Sequence, residues 1–301
     1  MIIQILSKVI SNTQIVENYF KMCLDAPAVA QKAEPGQFIY VHTSDGYQPL
    51  LRRAFSIHNI RREKRENREQ MEILYKVRGE GTRILVEKKA GEKLDIIGPL
   101  GKGFTLYPLP STLYPVLVGG GVGIAPLVFL AQNLAKNQKP KTKNRILVLI
   151  GAKTKKEILC KDEFERLGCE VKVATDDGSQ SFKGKVTELL EEILAPSSKL
   201  QAPGRELKKP VTCSLQPVAC IYACGPSPML KEIAQLAQQY KIPCQVSLEE
   251  RMACGVGACR GCVLKVVPPP PSPLLRSPQD FIYKRVCKDG PVFETGEIIW
   301  E

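Results

Sequence analysis

Four cysteines are spaced to hold a metal cluster. In LEERMACGVGACRGCV, Leu248 to Val263, the residues Cys254, Cys259 and Cys262 read C-x4-C-x2-C, and Cys287 follows after a longer interval. This is the plant-type spacing of a [2Fe–2S] cluster rather than the paired C-x2-C knuckles usual for zinc. Two bridged irons form an elongated core, so three thiolates must come from one loop that wraps it. Gly255, Gly257 and Gly261 let that loop turn tightly and aim backbone N–H groups at sulfur. A tetrahedral zinc site made of the same four cysteines, or thiols packed in a core, are the competing readings. A cluster needs an electron supply, and the rest of the chain can be read for one.

LLRRAFSIHN carries Arg53, Phe55 and Ser56 on one strand, with Arg53 and Phe55 on the same face by alternation. A guanidinium pairs with a pyrophosphate, while hydroxyl and backbone groups hold a flavin ring. In YKVRGEGTRIL, Gly79, Gly81 and Thr82 turn the chain into a helix, which makes either an anion site at the helix N-terminus or a plain capped turn. Gly119, Gly120, Gly121 and Gly123 of GGGVGIAP lie between a buried strand and a helix, where backbone can approach a dinucleotide closely. The run lacks the GxGxxG fingerprint. In ACGPSPML, Cys224 ends a strand and Gly225-Pro226 opens the next helix, so Cys224 is either a site thiol or a packed core cysteine. Lys153, Lys155 and Lys156 follow a strand and either receive a 2′-phosphate or form a solvated helix start.

The elements that must position these residues fall into two patterns. Up to about Tyr107, short alternating strands are separated by Gly, Pro and Asp, which predicts a closed antiparallel barrel with the polar run Arg61 to Gln70 as an extended hairpin loop. From Tyr114, strands alternate with helices, which predicts a parallel sheet with both faces covered. The stretch Ala195 to Pro217 reads as an exposed insertion, and PPPPSP at Pro268 to Pro273 as an extended loop before the fourth cysteine.

Composition narrows the function classes. The 301 residues are 44% hydrophobic and 25% charged, as in an ordinary globular protein, and no run has the length of a membrane span. Eleven cysteines without a secretion signal favour a reducing cytosol. The net charge of +12 sits in separate hydrophilic stretches (Arg61–Arg68, Lys136–Arg145 and Arg205–Lys209) without interleaved aromatics, which argues against nucleic acid.

With these motifs in place, nearly the whole chain resembles the ferredoxin–NADP reductase superfamily, and more narrowly the electron-transfer subunits of class 1B dihydroorotate dehydrogenases. The carrying segments are LLRRAFSI, YKVRGEGT, GPLGKGF, GGGVGIAPL, ATDDGS, YACGPSPML, IPCQVSLEERMACGVGACRGCV and YKRVCKDGPVF. The resemblance implies a flavin-binding β-barrel over residues 1–108, a Rossmann-like α/β nucleotide domain over 109–244 and a small [2Fe–2S] domain over 245–301. It implies that Arg53, Ala54, Phe55 and Ser56 hold FAD, with Leu74, Tyr75 and Lys76 on the next strand and Gly81 and Thr82 at its phosphates. The GGGVG loop and Cys224-Gly225-Pro226 would meet NAD, with Cys224 beside the flavin–nicotinamide contact as the catalytic candidate. Cys254, Cys259, Cys262 and Cys287 would ligate the cluster. Ala54 stands where the family usually has proline, and the proline-rich stretch lengthens the interval before Cys287. Dihydroorotate oxidation would belong to a separate FMN-containing catalytic subunit, in a heterotetramer of two subunits of each kind. A small subunit of an NAD(P)H–ferredoxin or sulfide-type oxidoreductase, or a zinc-bearing interaction protein, are the competing functions; the former relatives tend to carry aspartate at one cluster position.

Overall fold

Hydrophobic alternation builds the first third of the chain into a closed ring of strands. The computed structural model describes residues 2–44, 46, 48–63, 68–107, 113–136, 145–195, 218–268 and 281–301. Six strands form the barrel: β1 (Ile3–Val16), β2 (Tyr19–Asp25), β3 (Phe38–Val41), β4 (Arg53–Glu63), β5 (Arg68–Lys76) and β6 (Lys93–Leu100). They close in the order β1-β2-β5-β4-β3-β6. Every neighbouring pair is antiparallel. Met22, Leu24, Ile39, Ile57, Ile73 and Ile96 fill its fully buried interior. Helix α1 (Pro27–Ala30) and helix α2 (Glu80–Glu87) sit in its connections.

One expectation is corrected here. The polar run Arg61 to Gln70 is not all loop, because strand pairing continues through Arg61↔Gln70, Arg62↔Glu69 and Glu63↔Arg68. Cross-strand charge pairing, such as Arg61 Nε to Glu72 Oε1 at 3.0 Å, supports a ribbon there without an apolar face. Residues 64–67 lie outside the described residues.

After the barrel comes a seven-stranded sheet. Its strands are β7 (Tyr114–Gly120), β8 (Leu147–Ala152), β9 (Glu170–Thr175), β10 (Phe182–Lys183), β11 (Val218–Cys224), β12 (Cys244–Ser247) and, from the far C-terminal part, β15 (Val292–Glu294). The order is β10-β9-β8-β7-β11-β12-β15, parallel except for the last strand, which runs antiparallel to β12. Every residue of β7 is buried, as expected of a central strand covered on both faces. Helices α3 (Ala125–Lys136), α4 (Lys161–Arg166), α5 (Val186–Leu194) and α6 (Ser227–Tyr240) connect the strands. The chain runs outward from β7 to β10 and then returns to β11 on the other side of β7, so the topological switch point lies between β7 and β11. A ribbon of β13 (Val263–Val266) and β14 (Ile282–Arg285), followed by α7 (Val286–Asp289), carries the last cysteine. Residues 196–217 and 269–280, which hold nearly all of the expected insertion and proline loop, lie outside the described residues.

Candidate functional site

Strand order alone brings two of the motifs together. Cys224, the last residue of β11, is the register partner of Gly119 on β7, so GGGVG and CGPSP leave the sheet side by side at the switch point. The glycines are explained largely by this closeness. A Cβ on Gly123 would lie 2.6 Å from the Cys224 carbonyl oxygen and from Gly225, and one on Gly120 would lie 2.6 Å from Met229 Sδ and 3.0 Å from Pro226. A Cβ on Gly225 would meet Met229 at 2.4 Å, and one on Gly119 would meet Ile124 at 2.2 Å. Gly121 differs: its φ is +55°, and nothing stands within 4 Å of where a side chain would project. The turn is therefore close-packed beneath and open above.

Beside the switch point lies a cavity of about 780 Å³, the size of an organic cofactor site. Its wall takes Arg53, Ala54, Phe55 and Ser56 from β4, then Leu74, Tyr75 and Lys76 from β5. Gly81 and Thr82 of α2, together with Gly123 and Cys224, complete the sequence-derived set that lines it. Gly119, Gly120, Gly121, Gly225 and Pro226 are not in its wall. The Phe55 and Tyr75 rings pack 5.6 Å apart at 58°, giving an apolar aromatic side. The opposite character comes from Arg53, whose guanidinium lies against the first turn of α2, where a Cβ on Gly81 would meet its Nε at 2.9 Å. A guanidinium beside a helix N-terminus is a donor set for a pyrophosphate, so an apolar ring and a phosphate end both find partners in this cavity. The Thr82 hydroxyl accepts from the backbone N–H groups of Arg78 at 2.9 Å and Gly79 at 3.1 Å, which caps the helix.

Cys224 is 3% exposed. Burial, with the Glu249 charge adding to it, pushes its thiol up to about 12 despite a hydrogen bond with Ser247, so it faces the cavity as a neutral thiol.

The cysteine loop behaves differently. Gly255 and Gly257 have φ of +70° and +84°, and Arg260 reaches +56°, so the chain reverses repeatedly around the sulfurs. The Cys259 N–H donates to Cys254 Sγ, the Gly261 N–H to Cys259 Sγ and the Cys287 N–H to Cys262 Sγ, each at 3.4 Å. Partial burial opposes ionisation of Cys254, but the N–H groups of Cys259, Val256 and Ala258 outweigh it and bring the thiol down to about 6. Burial and the neighbouring Cys262 thiol push Cys287 up to about 12. A tetrahedral zinc ion would draw its sulfurs to about 3.8 Å from one another. Among the described residues, the one set of three metal-ligating side chains within 4.8 Å is His58, Cys160 and Glu163, not the four cysteines. A wider thiolate frame with inward N–H donors fits a two-iron core.

The His58 group is already satisfied by other contacts. Ala125 O lies 2.9 Å from Nδ1, and Glu163 Oε2 lies 3.1 Å from Nε2. Lys21 Nζ reaches Glu163 Oε1 at 3.2 Å. This network ties β2 and β4 of the barrel to α4 and to the first residue of α3.

Sequence reading missed the residues that join the cavity to the cysteine loop. Leu248, Glu249, Glu250, Arg251 and Met252 run along the cavity wall directly into Cys254, and Tyr40 of β3 lies between. All four β3 residues are buried, so the Tyr40 hydroxyl needs a partner inside, and the sequence does not show which.

The comparisons agree with this geometry. Residues 249–299 match the iron–sulfur cluster binding domain of dihydroorotate dehydrogenase B, and residues 117–235 match the oxidoreductase NAD-binding domain. The dihydroorotate dehydrogenase B (NAD(+)) electron transfer subunit of Desulforamulus reducens is 39% identical over 295 residues, 98% of each chain. That of Caldanaerobacter subterraneus subsp. tengcongensis is 37% identical, again over 98% of both. Among solved structures, the NADH-dependent reduced ferredoxin-NADP oxidoreductase, described in terms of flavin-based electron bifurcation, superposes with a TM-score of 0.72 at 28% identity. That match covers 98% of this chain and 90% of the other. The chain belongs to the family of dihydroorotate dehydrogenase B (NAD+) electron transfer subunits.

Proposed function

We propose that this chain carries electrons between NAD and an FMN-containing dihydroorotate dehydrogenase catalytic subunit, two of each chain per complex. One observation carries the reading. A single cavity is walled by the β4 strand, by Gly123 and Cys224 of the switch point, and by the Leu248–Met252 stretch that leads into the cysteine loop. When bound, FAD exchanges a hydride with nicotinamide and single electrons with a [2Fe–2S] cluster, so the three sites form one series.

In this reading residues 1–108 hold FAD, 109–244 NAD and 245–301 the cluster. Phe55 and Tyr75 give the flavin an apolar wall, Ser56 a hydroxyl, and Arg53 with the α2 turn neutralises the pyrophosphate. Gly121, with open space above it, leaves the nucleotide its approach to the switch point. Cys224 stays a neutral thiol beside the nicotinamide contact and excludes water there. Cys254, Cys259, Cys262 and Cys287 supply four thiolates, and the loop's N–H groups offset their charge. Dihydroorotate oxidation falls to the partner subunit.

An anaerobic NADH titration of the purified protein, followed by absorption and electron spin resonance, tests the series. Flavin bleaching with a reduced [2Fe–2S] signal is expected, and the partner with dihydroorotate should then reduce the same groups from the other side. Flavin bleaching without a cluster signal, with zinc on metal analysis, would overturn it.

A further inference from the structure

We propose that Tyr40 is a positioning residue that fixes the cluster-bearing loop against the flavin cavity, through its hydroxyl bonds to the two carbonyls that precede Cys254. The inference rests on the functional reading above. Tyr40 is pinned from both sides, with Ala54 of β4 and Ile97 of β6 as its register partners. Its ring lines the cavity and is 1% exposed. The hydroxyl lies 2.8 Å from Met252 O and 3.0 Å from Ala253 O, and its one proton is shared between them.

The ring also carries the loop. Gly255, with φ of +70°, lays its backbone on Tyr40 so closely that a Cβ would meet ring Cδ1 at 2.7 Å. Among the described residues, no other in the cavity wall combines backbone pairing to the Arg53–Ser56 strand with side-chain bonds to the cysteine loop. Phenylalanine would fill the same volume, so packing does not explain the hydroxyl. A buried hydroxyl is costly unless it is bonded, and here both acceptors belong to the segment whose position sets Cys254. Tyr40 thereby makes the spacing between cavity and sulfur loop a property of the rigid barrel rather than of the loop itself.

The test compares the wild-type holoprotein with Tyr40→Phe and Tyr40→Leu by anaerobic stopped-flow with NADH, with electron spin resonance of the reduced protein. In Tyr40→Phe the cluster phase should slow about tenfold more than the flavin phase, a loss of orientation rather than of binding. The cluster resonance should change line shape, and Tyr40→Leu, which also loses the ring beneath Gly255, should slow the cluster phase further. Equal slowing of both phases would mark a general structural role and overturn the inference. An unchanged cluster phase and line shape in both variants would overturn it alone. A wild-type protein with no cluster phase would overturn the functional reading and this inference together.

Discussion

The two glycine-rich turns of this molecule use the same residue for opposite purposes. In GGGVG, Gly119, Gly120 and Gly123 leave out side chains so that two strand ends and a helix can touch, and only Gly121 has a positive φ. In the cysteine loop, Gly255 and Gly257 have positive φ so that the chain can double back and point N–H groups at sulfur. The first turn is a packing solution, and the second is an electrostatic one. The thiols beside them diverge accordingly. Cys224, packed at the switch point, is pushed up to about 12, whereas Cys254, surrounded by N–H donors, is brought down to about 6. A thiol buried in apolar packing is held neutral, while metal ligation needs ready thiolates.

The largest effect expected is at a ligand. Cys259→Ser should remove or destabilise the cluster while NADH still reduces the flavin, because the two steps use separate turns; iron analysis and the flavin bleaching rate check both halves. Loss of flavin reduction with the flavin still bound would join the two regions and break the comparison. Next comes Gly123→Ala. Its Cβ would enter the 2.6 Å contact with the Cys224 carbonyl oxygen and Gly225, so the two loops must separate. Flavin reduction by NADH should fall about 100-fold, read by stopped-flow, with cluster content unchanged.

Much of this was legible in the sequence, and what was not has a physical reason. Barrel strands and the strand–glycine–helix unit each leave a local period and stand where expected, and the cysteine spacing lies within the 249–299 match to the iron–sulfur cluster binding domain. The β4–β5 ribbon through Arg61 and Arg62 was hidden because its stabilising pairs are cross-strand charges, which look like a solvated loop in one dimension. The contribution of β15 to the nucleotide sheet was hidden by distance, since Gln245 pairs with Glu294 across a cysteine loop and a ribbon. Tyr40 was hidden for the same reason, its acceptors lying more than 200 residues along the chain. The glycines fall at the turn between strand and helix, where their neighbours Met229, Ile124 and Cys224 explain most of them by packing, which no spacing rule reveals.

Acid should distinguish the two regions next. Glu163 holds, through His58, the barrel strand that meets Ala125 at the end of the GGGVG turn. Burial works against its ionisation, but the bond and charge of His58, then Lys21, outweigh it and bring it from 4.5 to about 2. A carboxylate depressed in the folded state stabilises above its unfolded value. That contribution, about 3 kcal/mol, is lost as pH falls from about 4.5 through about 2. Glu163→Gln should therefore lower stability at pH 7 and flatten the dependence in that window, measured by urea unfolding followed by circular dichroism.

Gly255→Ala is the smallest expected effect and the sharpest test of the contrast. The residue is held at φ of +70°, where an L side chain is strained by about 1–2 kcal/mol, and its Cβ would press on the Tyr40 ring. Unlike Gly123, it can yield by shifting an exposed loop rather than by parting two buried strand ends. Thermal denaturation should show a modest loss, the cluster should remain with altered electron spin resonance, and NADH should reduce the flavin at the wild-type rate. If Gly255→Ala instead matched Gly123→Ala in slowing the flavin, both turns would be serving the nucleotide, and the division between packing glycines and electrostatic glycines would not hold.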